Sequence, residues 1–118
     1  MNATSPPGSS AAGTQRHDQA PIFAALGDGT RLALVSKLCG GQARSISQLA
    51  QDSALSRQAI TKHLRVLESA GIVHSSRSGR ESRFQLDPQP LENVREYLEL
   101  VSEQWDRALS RLTTLVER

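Results

Sequence analysis

Between Ser56 and Leu67 the chain sets Arg57, Gln58, Thr61, Lys62 and Arg65 on one side of a helical repeat, with Ile60, Leu64 and Leu67 on the other. Guanidinium and ammonium groups in such a row meet phosphate oxygens or the guanine edge, and a Gln amide pairs with adenine. This is the chemistry of a helix lying in a DNA major groove. Arg57, Gln58, Thr61 and Lys62, in the first half, are the base-proximal candidates; Arg65, further along, suits the DNA backbone. Ser56 is a helix cap whose hydroxyl also suits a phosphate. His63 stands beside Ile60, Leu64 and Leu67 and fits either a half-buried packing role or a DNA contact. A merely solvated polar face is the plain alternative for the whole row.

Such a row can read DNA only from a helix held against a core. Leu49, Leu55, Ile60, Leu64 and Leu67 fall where a helix-turn-helix buries its inward face, with Ser45 capping the third helix and Ser56 the fourth. Gly71 suits a left-handed helix end. Two strands, Ile72–Ser78 and Ser82–Leu86, follow around Gly79-Arg80-Glu81, with the loop type left open. Arg77, Arg80 and Arg83 surround the tip; in a wing they would hold the adjacent minor groove or its phosphates, and in a plain surface ribbon they need no partner. Upstream, Ala20–Leu26 is expected as a short helix with Ile22, Phe23 and Leu26 on one side. Asp28 or Thr30 caps the next, Arg31–Cys39, whose buried stripe is Leu32, Val35 and Leu38, and Gly40-Gly41 ends it. Arg31 and Arg44 are weaker phosphate candidates. Residues 1–19 are rich in Ser, Pro, Gly, Ala and Thr and are expected to form a disordered tail before a single domain spanning residues 20–118.

After Asp87-Pro88-Gln89-Pro90 one helix is expected to run to the C-terminus. Leu91, Val94, Leu98, Val101, Trp105, Ala108, Leu112 and Leu115 alternate spacings of three and four, an unbroken heptad pattern. About 25 helical residues span about 37 Å, more than so small a domain needs for its own core. The expected dimer interface comprises Ile22, Phe23, Leu91, Val94, Leu98, Val101, Trp105, Leu109, Leu112 and Leu115, with Trp105 as anchor. Packing on its own domain alone is the alternative.

The 118 residues suffice for one modest core, and the net charge of +2 is unevenly spread. Residues 1–86 carry 10 Lys/Arg against 5 Asp/Glu, and residues 87–118 carry 4 against 7. A basic body attracts polyanions while the acidic C-terminal element stays clear of them. No apolar run nears the roughly 18–20 residues of a membrane span, and the start lacks a secretory pattern, so a soluble cytoplasmic protein with no membrane partner is expected. The single Cys39 cannot form a disulfide within the chain and is expected as a small buried hydrophobe. There is no phosphate-cradling Gly loop, nucleophile elbow or paired Cys and His, so catalysis is not expected, nor is any cofactor.

Three stretches together resemble the ArsR/SmtB family of winged-helix repressors: Ala25-Leu26-Gly27-Asp28-Gly29-Thr30-Arg31, Ser56 to Leu67, and Glu68-Ser69-Ala70-Gly71-Ile72-Val73 with Arg77–Arg83. The likeness covers roughly residues 20–116, with Gly29 where the family usually has proline. It implies a mainly α (α+β) fold: a winged helix-turn-helix with a two-stranded β-wing and a long C-terminal dimerisation helix. It also implies a dimeric repressor of double-stranded DNA, acting on a palindromic operator and, as relatives often do, on its own promoter, under an unknown small-molecule or protein effector. Founding members sense metals through a Cys-x-Cys motif, but Ser45-Ile46-Ser47-Gln48-Leu49-Ala50 has no thiol, and residues 87–118 contain no His. In Thr61–Leu67, the Asp87–Leu91 junction and Trp105 of the terminal helix the chain resembles the metal-independent branch, and no metal site is expected. The alternative function is a protein-interaction module that recruits a partner through the C-terminal heptad helix.

Overall fold

The computed structural model describes the backbone of residues 11–117 and the side chains of residues 19–117. Five helices and three short strands follow in the order α1 (Ala11–Leu26), α2 (Gly29–Leu38), β1 (Arg44–Ser45), α3 (Ile46–Ala50), α4 (Arg57–Ser69), β2 (Val73–Ser78), β3 (Glu81–Leu86) and α5 (Pro88–Val116).

Local capping chemistry places most of these boundaries. Asp28 caps α2 by accepting from the Arg31 N–H at 3.1 Å. Ser45 and Gln48 form a reciprocal capping box at α3, and Ser56 caps α4 through the Ala59 N–H. At the other end of α4, Gly71 takes φ +79, while its N–H and that of Ile72 return to Glu68 and Leu67. That is a Schellman closure, which needs the left-handed residue. The turn between α3 and α4 carries the one positive-φ non-glycine among the described residues, Asp52, a residue type that tolerates this conformation.

The core gathers one face of each helix. Leu34, Val35 and Leu38 of α2, Leu49 of α3, and Ile60, Leu64 and Leu67 of α4 enclose Ile72, Val73 and Phe84 from the sheet, with Ile22, Ala25 and Val94 at one side. Two expected core positions differ. Leu32 is half exposed and Leu34 takes its place, because α2 is covered along the 34–35–38 side; Leu55 lies in the exposed approach to α4. Cys39, expected to be buried, is exposed at the C-cap of α2.

The sheet has three antiparallel strands in the order β1-β3-β2, rather than the two expected. Arg44 and Ser45 pair with Phe84 and Arg83, which covers the inner edge of the wing. The hairpin closes from Ser78 to Glu81 through Gly79-Arg80. Only Gly79 has positive φ there, the pattern of a type II′ turn.

α1 starts at Ala11, so residues 11–19 are helical rather than part of a tail; the expectation for residues 1–10 lies outside the described residues. A proline usually marks a first turn, yet Pro21 sits inside this helix, and the buried Gln19 side chain continues its packed face upstream. Among the described residues no helix is long and apolar enough to cross a membrane.

α5 packs on α1, and the interface expected from the heptads divides there. Ile22 and Val94 are buried in the chain's own core, at the contact of α1 with α5. Phe23 stacks edge-on to Tyr97 with centroids 6.1 Å apart, and Leu91 and Val101 are half-buried. Leu98, Trp105, Leu109, Leu112 and Leu115 remain exposed, with Trp105 at 61%.

Asp87 caps α5 through the Gln89 N–H and also lies 2.8 Å from the Nε2 of His74 in the wing. Those contacts, the Gln89 N–H first, hold its carboxyl below the usual carboxylate value. Asp87 therefore adds stability above about pH 4, where an unfolded aspartate is ionised, and loses it as pH falls through the lower folded value. Asp87→Asn keeps a capping side chain but not the charge. Its urea midpoint is expected below wild type at neutral pH, with the gap closing below about pH 4. A gap unchanged down to pH 3 would contradict this assignment.

Candidate nucleic-acid interface

The inward face of α4 is locked by Ile60, Leu64 and Leu67, so the side chains between them must point away from the core. Ser56, Arg57, Gln58, Lys62 and Arg65 are exposed and Thr61 is half-buried. The Ser56 hydroxyl accepts from the Ala59 N–H at 3.1 Å, and the Thr61 hydroxyl donates to the Arg57 carbonyl at 2.8 Å. Arg57 Nη2 donates to the Ser47 hydroxyl at 2.6 Å, a contact that steers the guanidinium toward the start of α3. Gln58 and Lys62 point outward with no side-chain partner among the described residues.

The wing meets the same side of the molecule. A polar hollow of about 200 Å³ lies between the start of α3, the start of α4 and the wing tip, walled by Ser47, Arg57, Arg80, Glu81 and Ser82. It brings Arg57 and Arg80 to one surface. Arg77 is exposed on β2. Arg83 is drawn to Glu81 at 3.5 Å, and its Nε is buried with no partner among the described residues.

Arg65 is placed differently from its neighbours on α4. Its Nη1 lies 2.7 Å from Glu68 Oε1, and its guanidinium carbon lies 5.5 Å from the centre of the Phe84 ring. Glu68 also accepts from the Ser75 hydroxyl at 2.6 Å. The Ser75 hydroxyl and then Arg65 hold the Glu68 carboxyl below its usual value. Arg65 thus clamps the end of α4 to the base of the wing, at the edge of the exposed row.

His63 turns inward from that row. It is half-buried, with Nδ1 at 3.1 Å from Arg31 Nη1 and 3.8 Å from Asp28 Oδ2. Arg31 is committed to this joint, and Arg44 donates through Nε to the Lys37 carbonyl at 3.1 Å.

Known proteins share this arrangement. A helix-turn-helix domain family matches residues 26–76. The HTH-type transcriptional regulator Rv2034 of Mycobacterium tuberculosis is 38% identical over 93 residues, covering 79% of this chain and 83% of that protein. An ArsR-like transcriptional regulator from Rhodococcus sp. RHA1 superposes with a TM-score of 0.72 at 38% identity, over 87% of this chain and 95% of that one.

The chain belongs to the ArsR family.

It is a transcriptional regulator built on a winged helix-turn-helix fold. A more distant fold neighbour is the homodimeric winged helix-turn-helix domain Mb0332 from Mycobacterium bovis, at 19% identity, a TM-score of 0.61, and coverage of 88% of this chain and 92% of that one. Among the described residues of this ArsR-family chain, no three His, Cys, Asp or Glu side chains gather as a metal ion would require. Sequence reasoning missed Ser47, Glu68 and Ser75, the partners that aim Arg57 and Arg65. Ser47 carried no signal beyond its place near a helix start. Glu68 stands three residues after Arg65, a spacing that allowed the pair to be found.

Proposed function

We propose that this regulator is a dimeric, metal-independent repressor that reads an imperfect palindrome with the first half of α4 and controls its own promoter. The observation that carries this reading is the exposed row Arg57, Gln58 and Lys62, standing beside Arg80 of the wing while the opposite face of α4 is sealed in the core. Gln58 and Lys62 would enter the major groove; Ser56, Arg57 and Thr61 would line its edge; Arg77, Arg80 and Arg83 would track the neighbouring backbone. Each position is a DNA contact on this reading. The apolar side chains left exposed along α5 support a dimer, as does the homodimeric state of the Mb0332 domain. Two copies would set their α4 helices about one helical turn of DNA apart or somewhat more. Repression would follow from blocking polymerase. Metal independence rests on the donor set: residues 45–50 hold no thiol and residues 87–118 no His.

Fluorescence anisotropy against a duplex from the chain's own upstream region, beside a scrambled duplex across a salt series, tests the reading. Binding roughly 10³-fold or more tighter to the upstream duplex, with both affinities falling as salt rises, is expected. Equal binding to both duplexes, erased by salt, would refute autoregulation through this sequence.

A further inference from the structure

Arg31 sits in the first turn of α2, where its side chain bridges two other helices. Its Nε donates to the Ala25 carbonyl, in the last turn of α1, at 2.6 Å, and its Nη1 lies 3.1 Å from His63 Nδ1 on α4. A guanidinium has only donors, so Nδ1 must be the bare acceptor and the ring proton must sit on Nε2. Asp28 Oδ2 stands 3.8 Å from that Nδ1 and already accepts the Arg31 N–H at 3.1 Å. One side chain thus ties α1, the helix packed on α5, to the helix that carries the DNA-facing row.

We propose that Arg31 and His63 are positioning residues that set the tilt of α4 against the α1–α2 layer. The inference rests on the reading of α4 as the DNA-reading helix. Arg31 and Asp28 are the charged groups that face His63; the described part of α1, residues 19–26, carries no ionisable side chain. Base-edge contacts tolerate a shifted helix less well than phosphate contacts do, so loss of the bridge falls on specificity.

The test uses the full chain as wild type, Arg31→Ala and His63→Asn. Anisotropy is read on the upstream and scrambled duplexes at pH 8 and at several salt concentrations, with thermal unfolding beside it. Arg31→Ala is expected to lower the specificity ratio about tenfold at pH 8 while leaving the salt slope unchanged. His63→Asn keeps a side-chain acceptor for Arg31 and is expected to retain more of the ratio than Arg31→Ala does. A loss on Arg31→Ala that is equal on both duplexes, with a salt slope smaller by about one, would make Arg31 a phosphate ligand and overturn the proposal. A specificity ratio in Arg31→Ala equal to that of wild type would also overturn it. Should wild type show no preference at pH 8, the operator reading fails separately. The imidazole nitrogen resonances then decide this joint: a bare Nδ1 that is lost in Arg31→Ala supports it, and a ring protonated on Nδ1 at pH 8 overturns it.

Discussion

Replacing Arg57 and Lys62 together by alanine is expected to weaken binding to the operator by about 100-fold or more, since a good base or phosphate contact contributes about 1–3 kcal/mol. Both residues lie on the exposed side of α4, opposite the buried Ile60, Leu64 and Leu67. Neither holds the fold. Lys62 has no side-chain partner among the described residues, and Arg57 touches only the exposed Ser47 hydroxyl. The cost to stability should therefore stay within about 0.5 kcal/mol, as for surface changes elsewhere. Anisotropy on the upstream duplex and a thermal melt of the same sample check both halves of the expectation. A folded double variant that binds the operator as wild type does would remove α4 from the DNA surface. Retained binding of a protein partner alongside lost DNA binding would separate the row on α4 from the surface on α5.

Trp105→Glu is expected to split the proposed dimer. Beyond Val101 nearly every residue of α5 is exposed, yet Trp105, Leu109, Leu112 and Leu115 continue an apolar stripe along the projecting helix. A helix segment with no packing of its own is marginal in water, and an apolar stripe on it calls for cover. In a two-fold interface Trp105 occurs on both sides, so a truncation cost of about 2–4 kcal/mol per central aromatic is counted twice. The glutamate adds the penalty of burying a charge without a partner. The dissociation constant should rise by about 10³-fold or more. Light scattering after gel filtration should then report the 12.8 kDa of one chain instead of twice that mass. Operator affinity should fall with it, because one subunit reaches one half-site. A variant that remains folded and dimeric would show that Trp105 is not in the seam.

The two variants also separate the surfaces from each other. The Arg57 and Lys62 changes should leave the dimer whole, and Trp105→Glu should leave the α4 row chemically intact. Coupling between the two surfaces would have to pass through the contact of α1 with α5 and the bridge from Ala25 through Arg31 to His63.

Features whose partners lie within a few residues were legible in the sequence. The caps at Ser45 and Ser56, the left-handed Gly71 and the reversal at Gly79 all appear where local chemistry places them. Each depends on hydrogen bonds or torsions confined to one turn, which side-chain type alone can specify. The outward row on α4 was legible for the same reason, since helical spacing fixes which residues share a face. Contacts across the fold were decided only by the tertiary structure. The pairing of β1 with β3, the exchange of Leu34 for Leu32 in the core, and the burial of Ile22 and Val94 within one chain depend on how separate elements meet. So do the partners of the cations: Arg57 turns to Ser47, Arg65 to Glu68 and the Phe84 ring, and Arg31 to His63, 32 residues away. A long charged side chain has many rotamers and nearly equal local choices, so packing selects its partner where spacing cannot.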